Sequence, residues 1–279
     1  MTLRFVFCDV FTDRPLAGNQ LAVFTDAREL DGAVMQALAR EIGFSETAFV
    51  LPPEAGGTAR VRIFTPAREL PFAGHPCLGT AWVLAAPLQR EVVVLETGAG
   101  SVRLRLERDG SGALDFGWME QPVPRVEPHP DPEAVLRALG VERSLLPVEV
   151  YDNGPRFTTV VLGSRDEVAA LRPDLHALAE LDVYASCVAG DGERWKTRMF
   201  APSAGVAEDP ATGAAAGPLA VHLCRHGLVR WGAELTIEQG VELGRPSTLH
   251  ARVEGGPDAV LAVEVGGRAV VVARGEFRL

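Results

Sequence analysis

The chain has 279 residues, of which 47% are hydrophobic, enough to bury the core of one large domain or of two smaller ones. Its formal net charge of −10 argues against nucleic acid or an anionic membrane as a general partner, because basic surfaces bind such partners. The first residues lack a long apolar signal core, and no apolar run approaches the roughly 18 residues of a membrane span. We therefore expect a cytoplasmic protein with no membrane partner.

Segments with period-two apolar patterns predict strands along the whole chain, from RFVFCDVF at 4–11 to AVVVARGEFRL at 269–279. Helical patterns are fewer. They are DGAVMQALAREIG (31–43), HPCLGTAWVLAAPL (75–88), the broken stretch DEVAALRPDLHALAELD (166–182) and DPATGAAAGPLAVHLCRHG (209–227). This order of elements predicts a strand-rich α+β protein.

The sequence contains an internal repeat. RIFTP at 62–66 resembles RMFAP at 198–202, and HPCLG at 75–79 resembles DPATG at 209–213. The two pairs are separated by 136 and 134 residues, so a deletion of two residues lies between them. The surrounding strand and helix patterns recur in the same order. We predict two copies of one unit, joined through the proline-rich segment QPVPRVEPHPDPE (121–133).

The paired His-Pro and Asp-Pro motifs each open a predicted helix. Because proline is favoured at the first helical position, His75 and Asp209 are the predicted N-caps of two related helices. A helix N-terminus offers unpaired N–H groups and partial positive charge, which suit an anion. Small residues follow both caps. The pair therefore indicates a pocket for a small carboxylate, and two ordinary capped helices are the alternative.

Five motifs together resemble a known family. They are CDVFTDRPLAGNQLAVF, GFSETAFV, RIFTPARELPFAGHPCLG, EDPATGAAAG and EQGVELGRPS, which span the chain from its first strand to Ser247. The chain resembles the PhzF-like proteins of phenazine biosynthesis, a branch of the diaminopimelate epimerase fold. The resemblance implies two pseudo-symmetric halves, each a mixed sheet rolled around a central helix. The first half would cover 1–122 with the last strand, 268–279, and the second 123–267.

The resemblance also implies the activity and the site. It implies a cofactor-independent isomerase, commonly a homodimer, that transfers a proton on a small carboxylate held between the halves. Glu46 of the SETAF motif would transfer the proton, with His75 and Asp209 lining the site, and no metal is expected. The implied substrate-binding residues are Asn19, Ser45, Gly74, His75, Gly213 and Ala214.

The chain departs from the family pattern at two positions. Gln20 follows Gly18-Asn19 where the family often has proline, and Ala214 stands where the family often has serine. The loss of that hydroxyl removes one expected hydrogen bond to the substrate, whereas the backbone donor at 214 remains. These departures bear on which substrate is accepted.

Several other functions compete with this interpretation. A two-thiol racemase would need a cysteine in each half, but the repeat partner of Cys77 is Ala211. A Cys–His hydrolase would need Cys77 activated by His75. The segment HLCRH at 222–226 has Leu223 where a zinc protease needs glutamate, so we interpret it as the end of a helix. A non-catalytic carboxylate-binding protein with the same fold remains an alternative. The four dispersed cysteines are expected to be reduced.

Overall fold

A computed structural model describes residues 2–279, which form eighteen strands and six α-helices. The strands are β1 (Thr2–Val10), β2 (Asn19–Phe24), β3 (Glu46–Leu51), β4 (Ala59–Phe64), β5 (Glu69–Leu70), β6 (Val92–Thr97), β7 (Gly100–Arg108), β8 (Leu114–Gln121), β9 (Arg125–Pro128), β10 (Glu149–Asp152), β11 (Arg156–Val161), β12 (Tyr184–Asp191), β13 (Arg194–Ala201), β14 (Val206–Asp209), β15 (Glu234–Gln239), β16 (Ser247–Gly256), β17 (Ala259–Gly267) and β18 (Ala269–Arg278). The helices are α1 (Gly32–Ile42), α2 (Gly74–Leu88), α3 (Pro132–Leu139), α4 (Arg165–Ala170), α5 (Leu175–Glu180) and α6 (Gly213–Arg225). Two short 3₁₀ turns lie at Pro202–Ala204 and Val241–Leu243.

The chain divides into two compact units. The first runs to Glu120 and includes Gly266–Leu279, and the second is Gln121–Val265. Within residues 2–279, none of the helices is both long and apolar enough to cross a lipid bilayer.

The two units have the same strand connectivity. In the first, β1 pairs antiparallel with β2 and β18, β2 runs parallel to β3 across α1, and β4 runs parallel to β6 across α2. In the second, β10 pairs antiparallel with β9 and β11, β11 runs parallel to β12 across α4 and α5, and β13 runs parallel to β15 across α6. Antiparallel pairs β3–β4 and β6–β7 correspond to β12–β13 and β15–β16. This shared order confirms the α+β fold class.

Each unit has a long buried helix. In α2, ten of the fifteen residues are buried, and the helix contacts β1, β2, β3, β6, β7 and β18. In α6, twelve of the thirteen residues are buried. A helix that is apolar on all sides is stable only when protein surrounds it, which accounts for the burial of α2 and α6 against the strands of their own units. The predicted central helices are therefore confirmed.

Each unit also has helices that are only partly buried: α1 in the first unit, and α4 and α5 in the second. In the first unit, α1 begins with the predicted Asp31 cap, whose carboxylate accepts a hydrogen bond of 2.9 Å from the Val34 N–H, and it ends at Gly43 with φ of 70°. Its apolar face packs on stacked Phe24 and Phe49, whose ring centres are 4.9 Å apart. In the second unit, α4 and α5 are the two parts of the predicted broken helix. Local capping rules therefore place α1 correctly, whereas α4 and α5 have the caps Ser164 and Asp174, which the sequence pattern did not identify.

Equivalent arginines confirm the internal repeat at the level of side chains. Arg62 donates two hydrogen bonds, of 2.7 and 2.6 Å, to the carboxylate of Glu69, and its guanidinium lies 5.1 Å from the centre of the Phe64 ring. Arg198 donates two hydrogen bonds, of 2.8 and 2.7 Å, to Glu208 and lies 5.0 Å from the centre of the ring of Phe200. Both units thus use the same bidentate pair to hold a short strand against its neighbour.

Candidate active site

Helix α2 begins one residue before the predicted cap. Its N-cap is Ala73, in extended conformation and without a side-chain capping bond, and its first helical residue is Gly74. The prediction that His75 is the N-cap is therefore wrong. Pro76 is tolerated because the first N–H groups of a helix have no intrahelical acceptor, so the proline rule identifies the first turn but not its first residue. His75 faces inward instead and is 3% exposed.

A directional hydrogen-bond chain holds the ring of His75. Its Nε2 lies 3.3 Å from the backbone oxygen of Gln20, and its Nδ1 lies 3.2 Å from the side-chain nitrogen of Asn19. Because a carbonyl oxygen only accepts, Nε2 carries the hydrogen and Nδ1 accepts from Asn19. The other end of Asn19 accepts a hydrogen bond of 3.1 Å from the hydroxyl of Ser45. The chain fixes the tautomer of the imidazole.

Burial keeps this imidazole neutral. It lowers the pKa of His75 to about 3, and the hydrogen bond to the Gln20 carbonyl offsets only a part of that effect. Glu46 lies beside it, with Oε2 at 3.6 Å from Nδ1. A contact between a carboxylate and a neutral ring nitrogen that already accepts a hydrogen bond is not an ion pair. The structure therefore places a partly buried carboxylate, 14% exposed in its side chain, against an uncharged imidazole.

The sheet explains why these residues meet. Strands β2 and β3 are parallel neighbours, with Leu21 opposite Glu46, so their N-terminal ends lie at the same edge. Asn19 begins β2, and Glu46 begins β3 directly after Ser45. Gly18 must precede Asn19, because its φ is +67° and a Cβ there would lie 2.3 Å from the backbone oxygen of Val10. The first unit thus brings together Asn19, Ser45, Glu46 and His75, all predicted from sequence.

In the second unit, helix α6 begins four residues after the predicted cap. Asp209 is the last residue of β14 and pairs with Met199 of β13, and Thr212 is the N-cap of α6. The prediction that Asp209 is the N-cap is wrong, because its backbone continues the sheet. The Thr212 hydroxyl donates a hydrogen bond of 2.5 Å to Asp209 Oδ2. Asp209 is thereby held at the entrance of the helix, and its side chain is oriented by the capping residue.

Gln239 organises this turn and was not predicted as a site residue. Its side-chain nitrogen donates to the backbone oxygen of Asp209 at 2.7 Å and lies 3.0 Å from the Thr212 hydroxyl, while its side-chain oxygen accepts from the Thr212 N–H at 3.1 Å. The following Gly240 has φ of +76°, and a Cβ there would lie 2.5 Å from the Pro210 carbonyl oxygen. The only sequence signal was its place in EQGVELGRPS, one of the motifs of the family resemblance.

The first turn of α6 carries Gly213 and Ala214. The first N–H groups of any helix lack intrahelical acceptors and carry partial positive charge, so this turn can bind an anion through its backbone. Ala214 offers no hydroxyl, and any contact with a ligand at this position comes from its main chain. In the first unit, Gly74 and His75 open α2 in the same way.

The cysteines are not nucleophiles. All four are buried free thiols. Burial raises the pKa of Cys77 to about 12, so a reactive thiolate is absent near neutral pH. Burial of Cys77 therefore disfavours the Cys–His hydrolase that the sequence left open, and the repeat already leaves a two-thiol racemase without a partner for Cys77.

A polar cluster at the C-terminal end of α6 has the donor types of a metal site. Glu149 Oε2 accepts from Tyr151 at 2.8 Å and lies 3.0 Å from His226 Nε2 and 3.2 Å from His222 Nδ1. These are hydrogen-bond lengths, and the Arg225 guanidinium already lies 3.5 Å from the same oxygen. Burial lowers the pKa of His222 to about 4. The cluster therefore ties α6 to β10 through side-chain hydrogen bonds and the Arg225–Glu149 contact.

Comparison with known proteins identifies the family. The family model described as phenazine biosynthesis-like protein matches residues 8–275. Trans-2,3-dihydro-3-hydroxyanthranilate isomerase of Pseudomonas aeruginosa is 49% identical over 277 residues, covering 99% of both chains. This relative disfavours the non-catalytic alternative.

Solved structures agree with the sequence comparison. A phenazine biosynthesis protein of the PhzF family from Bacillus anthracis is 25% identical and matches with a TM-score of 0.88 over 100% of both chains. A hydroxyproline epimerase from Agrobacterium vitis, 13% identical, matches with a TM-score of 0.68 over 99% of this chain and 92% of its own, which shows a shared fold alone. The chain is therefore an isomerase with an epimerase-like fold, and it belongs to the family of phenazine biosynthesis-like proteins.

Proposed function

We propose that this isomerase moves a proton within a small carboxylate substrate and that Glu46 is the general acid and base. The observation that supports this role is the position of Glu46 against the neutral ring of His75, with Oε2 3.6 Å from Nδ1. A carboxylate beside the substrate can remove a proton and return it, which is the chemistry that a proton shift requires.

The proposed reaction balances without a cofactor. The Glu46 carboxylate removes a proton from a substrate C–H, and the electron pair moves into the adjacent unsaturated system. The resulting carboxylic acid returns the same proton to a second carbon on the same face. Substrate and product are isomers, so no electrons are gained or lost. His75 orients Glu46 through its fixed ring, which Asn19 holds in one tautomer.

We propose that the first turns of α6 and α2 bind the carboxylate of the substrate. We propose that backbone N–H groups of Gly213 and Ala214, and of Gly74 and His75, bind it with help from the helix dipoles. Asp209, oriented by Thr212, is proposed as a second proton shuttle, which accepts a proton from the substrate and returns it to the substrate. Because Ala214 lacks a hydroxyl, carboxylate recognition at this position depends on the main chain.

The first substrate to test is trans-2,3-dihydro-3-hydroxyanthranilate. The relative that is 49% identical is named for isomerising it. It has the carboxylate that the proposed site requires, and the saturated carbons of its dihydro ring carry C–H protons. A homodimer and a cytoplasmic location complete the proposal, and light scattering on the purified protein tests the former.

Glu46→Gln tests the proposed acid and base. The substitution keeps the size of the side chain and removes its proton chemistry, so turnover and deuterium incorporation in D2O, followed by proton NMR, should both fall about 10²–10⁴-fold. Glu41→Gln, the same change at an exposed residue of α1, is the matched control and should retain both. Full turnover by Glu46→Gln would refute the role of Glu46.

A further inference from the structure

The first turn of α6 contains a carbonyl group that the helix itself cannot satisfy. Ala214 C=O would normally accept from the N–H of residue 218, but Pro218 lies inside the helix and has no N–H. The side-chain nitrogen of Asn153 donates to this carbonyl oxygen at 2.9 Å. Asn153 is 4% exposed and follows directly on β10. It therefore supplies the donor that the proline removes.

A second buried amide completes the support. The side-chain nitrogen of Gln121 donates at 2.8 Å to the backbone oxygen of Gly213, and its oxygen accepts at 3.4 Å from Asn153. Gln121 reaches this position only because residue 217 is glycine, since a Cβ on Gly217 would lie 2.3 Å from the Gln121 side-chain oxygen. Gly217 thus leaves space for the Gln121 side chain, and Pro218 leaves the Ala214 carbonyl available to Asn153.

The two amides act on the residues assigned to carboxylate binding. Gln121 and Asn153 hold the carbonyl groups of Gly213 and Ala214, while Gln239 holds the preceding turn through Thr212. Each peptide unit is planar, so the hydrogen bond from Gln121 to the Gly213 carbonyl fixes the direction of the Ala214 N–H. Asn153 supports this donor indirectly, because it holds the following peptide through the Ala214 carbonyl and also donates to the side-chain oxygen of Gln121. Pre-organised N–H donors bind an anion more strongly than donors that must first be ordered.

We infer that Asn153 and Gln121 are positioning residues for carboxylate recognition at the first turn of α6, an inference that rests on the proposed function. They do not touch the substrate themselves. Gln121 sets the direction of the Ala214 N–H, and Asn153 holds the next peptide and the Gln121 side chain in place. If the two amides have this positioning role, replacing either one weakens the binding only of ligands that carry a carboxylate. If their role is merely structural, replacing them weakens the binding of every ligand of this site equally.

The test uses a matched pair of ligands, 3-hydroxyanthranilate and 2-aminophenol, which differ only in the carboxylate group. Calorimetric titration of the full-length protein measures the affinity for each. Asn153→Leu keeps the branched shape of the side chain and removes its hydrogen-bond donor. It should weaken the binding of 3-hydroxyanthranilate about tenfold, the effect of one lost hydrogen bond, without weakening the binding of 2-aminophenol. With the authentic substrate, KM should rise more than kcat falls.

Pro218→Ala provides the rescue. It restores an N–H four residues after Ala214, so combining it with Asn153→Leu should recover most of the lost affinity for 3-hydroxyanthranilate. Gln121→Met is the second variant, and it should show the same selective loss if Asn153→Leu does not fold. Unchanged affinity for 3-hydroxyanthranilate, equal losses for both ligands, or no rescue would overturn the positioning role.

The same experiment separates this inference from the proposed function. If wild-type protein binds 3-hydroxyanthranilate no better than 2-aminophenol, carboxylate recognition itself is refuted, and the positioning role falls with it. If wild-type protein prefers 3-hydroxyanthranilate and both variants keep that preference, only the positioning role is refuted. A selective loss that Pro218→Ala restores supports both.

Discussion

Because His75 is buried and neutral, we predict how the free energy of unfolding changes as the pH is lowered. Its pKa is about 3 in the folded protein, against an ordinary value of 6.5, because burial disfavours the charged ring. The folded state therefore binds fewer protons than the unfolded state between these pH values, and stability falls as pH decreases through this window. Between pH 7 and pH 4, linkage gives a loss of about 3 kcal/mol from this one residue.

The prediction is tested by replacing His75 with glutamine, which has no charge at either pH. Urea unfolding at pH 7 and pH 4, followed by circular dichroism, gives the change in unfolding free energy for wild type and variant. Titratable groups that do not contact residue 75, His222 among them, contribute equally to both proteins, so they cancel in the comparison. The wild type should lose about 3 kcal/mol more than His75→Gln on acidification, because only the wild type must protonate residue 75 on unfolding.

A control and a contrary outcome complete the design. The control is His176→Gln, which removes a histidine whose side chain is 85% exposed. This variant should lose the same free energy of unfolding between pH 7 and pH 4 as the wild type. If wild type and His75→Gln lose the same free energy between pH 7 and pH 4, His75 is not held neutral by burial. Neutrality beside Glu46 would then no longer support the proposed acid and base.

Two further predictions concern packing and the repeat. Gly79→Ala should destabilise the first unit by about 1–3 kcal/mol in urea unfolding, because its Cβ would lie 2.6 Å from a methyl group of Leu21. Intrinsic helix propensity alone predicts the opposite, because alanine is a better helix former than glycine. A higher free energy of unfolding for Gly79→Ala would therefore contradict the close packing at this position. Arg198→Met should cost about 3–5 kcal/mol, since the Arg198 side chain is 7% exposed and Glu208 would lose its buried partner. The control is the equivalent Arg62→Met, because the Arg62 and Glu69 side chains are 25% and 42% exposed. It should lower the free energy of unfolding by about 1 kcal/mol or less. Equal losses for both variants would show that burial does not decide how much these ion pairs stabilise the fold.

The fold was predictable because its signals are local and repeated. Helix α1 begins at Asp31 and ends before Gly43, as short-range capping rules require. The Arg-x-Phe motifs at 62–64 and 198–200 indicated the repeat, and both arginines make the same bidentate contact in the structure. These features depend on residues close in sequence, so a single sequence contains the information for them.

The starts of α2 and α6 were misplaced because distant residues determine them. The Asp-Pro rule predicts a cap at Asp209, but pairing with Met199 keeps that residue in a strand. Gln239, thirty residues later, then holds both Asp209 and the true cap, Thr212. Gln121 and Asn153 were likewise missed, since an isolated amide residue has no pattern that distinguishes a positioning role from a surface position.

The repeat also indicates where function has to be sought within this fold. Residues that do the same task in both units, such as Arg62 and Arg198, maintain the architecture. His75 and Asp209 are equivalent in sequence but differ in chemistry, since one is a neutral ring that accepts from an amide and the other is a carboxylate that accepts from a hydroxyl. Equivalent positions that carry different side chains offer acid–base groups of different basicity, and a neutral imidazole and a carboxylate are such groups. We propose that the departure from symmetry at these positions reflects the acid–base function proposed for this site.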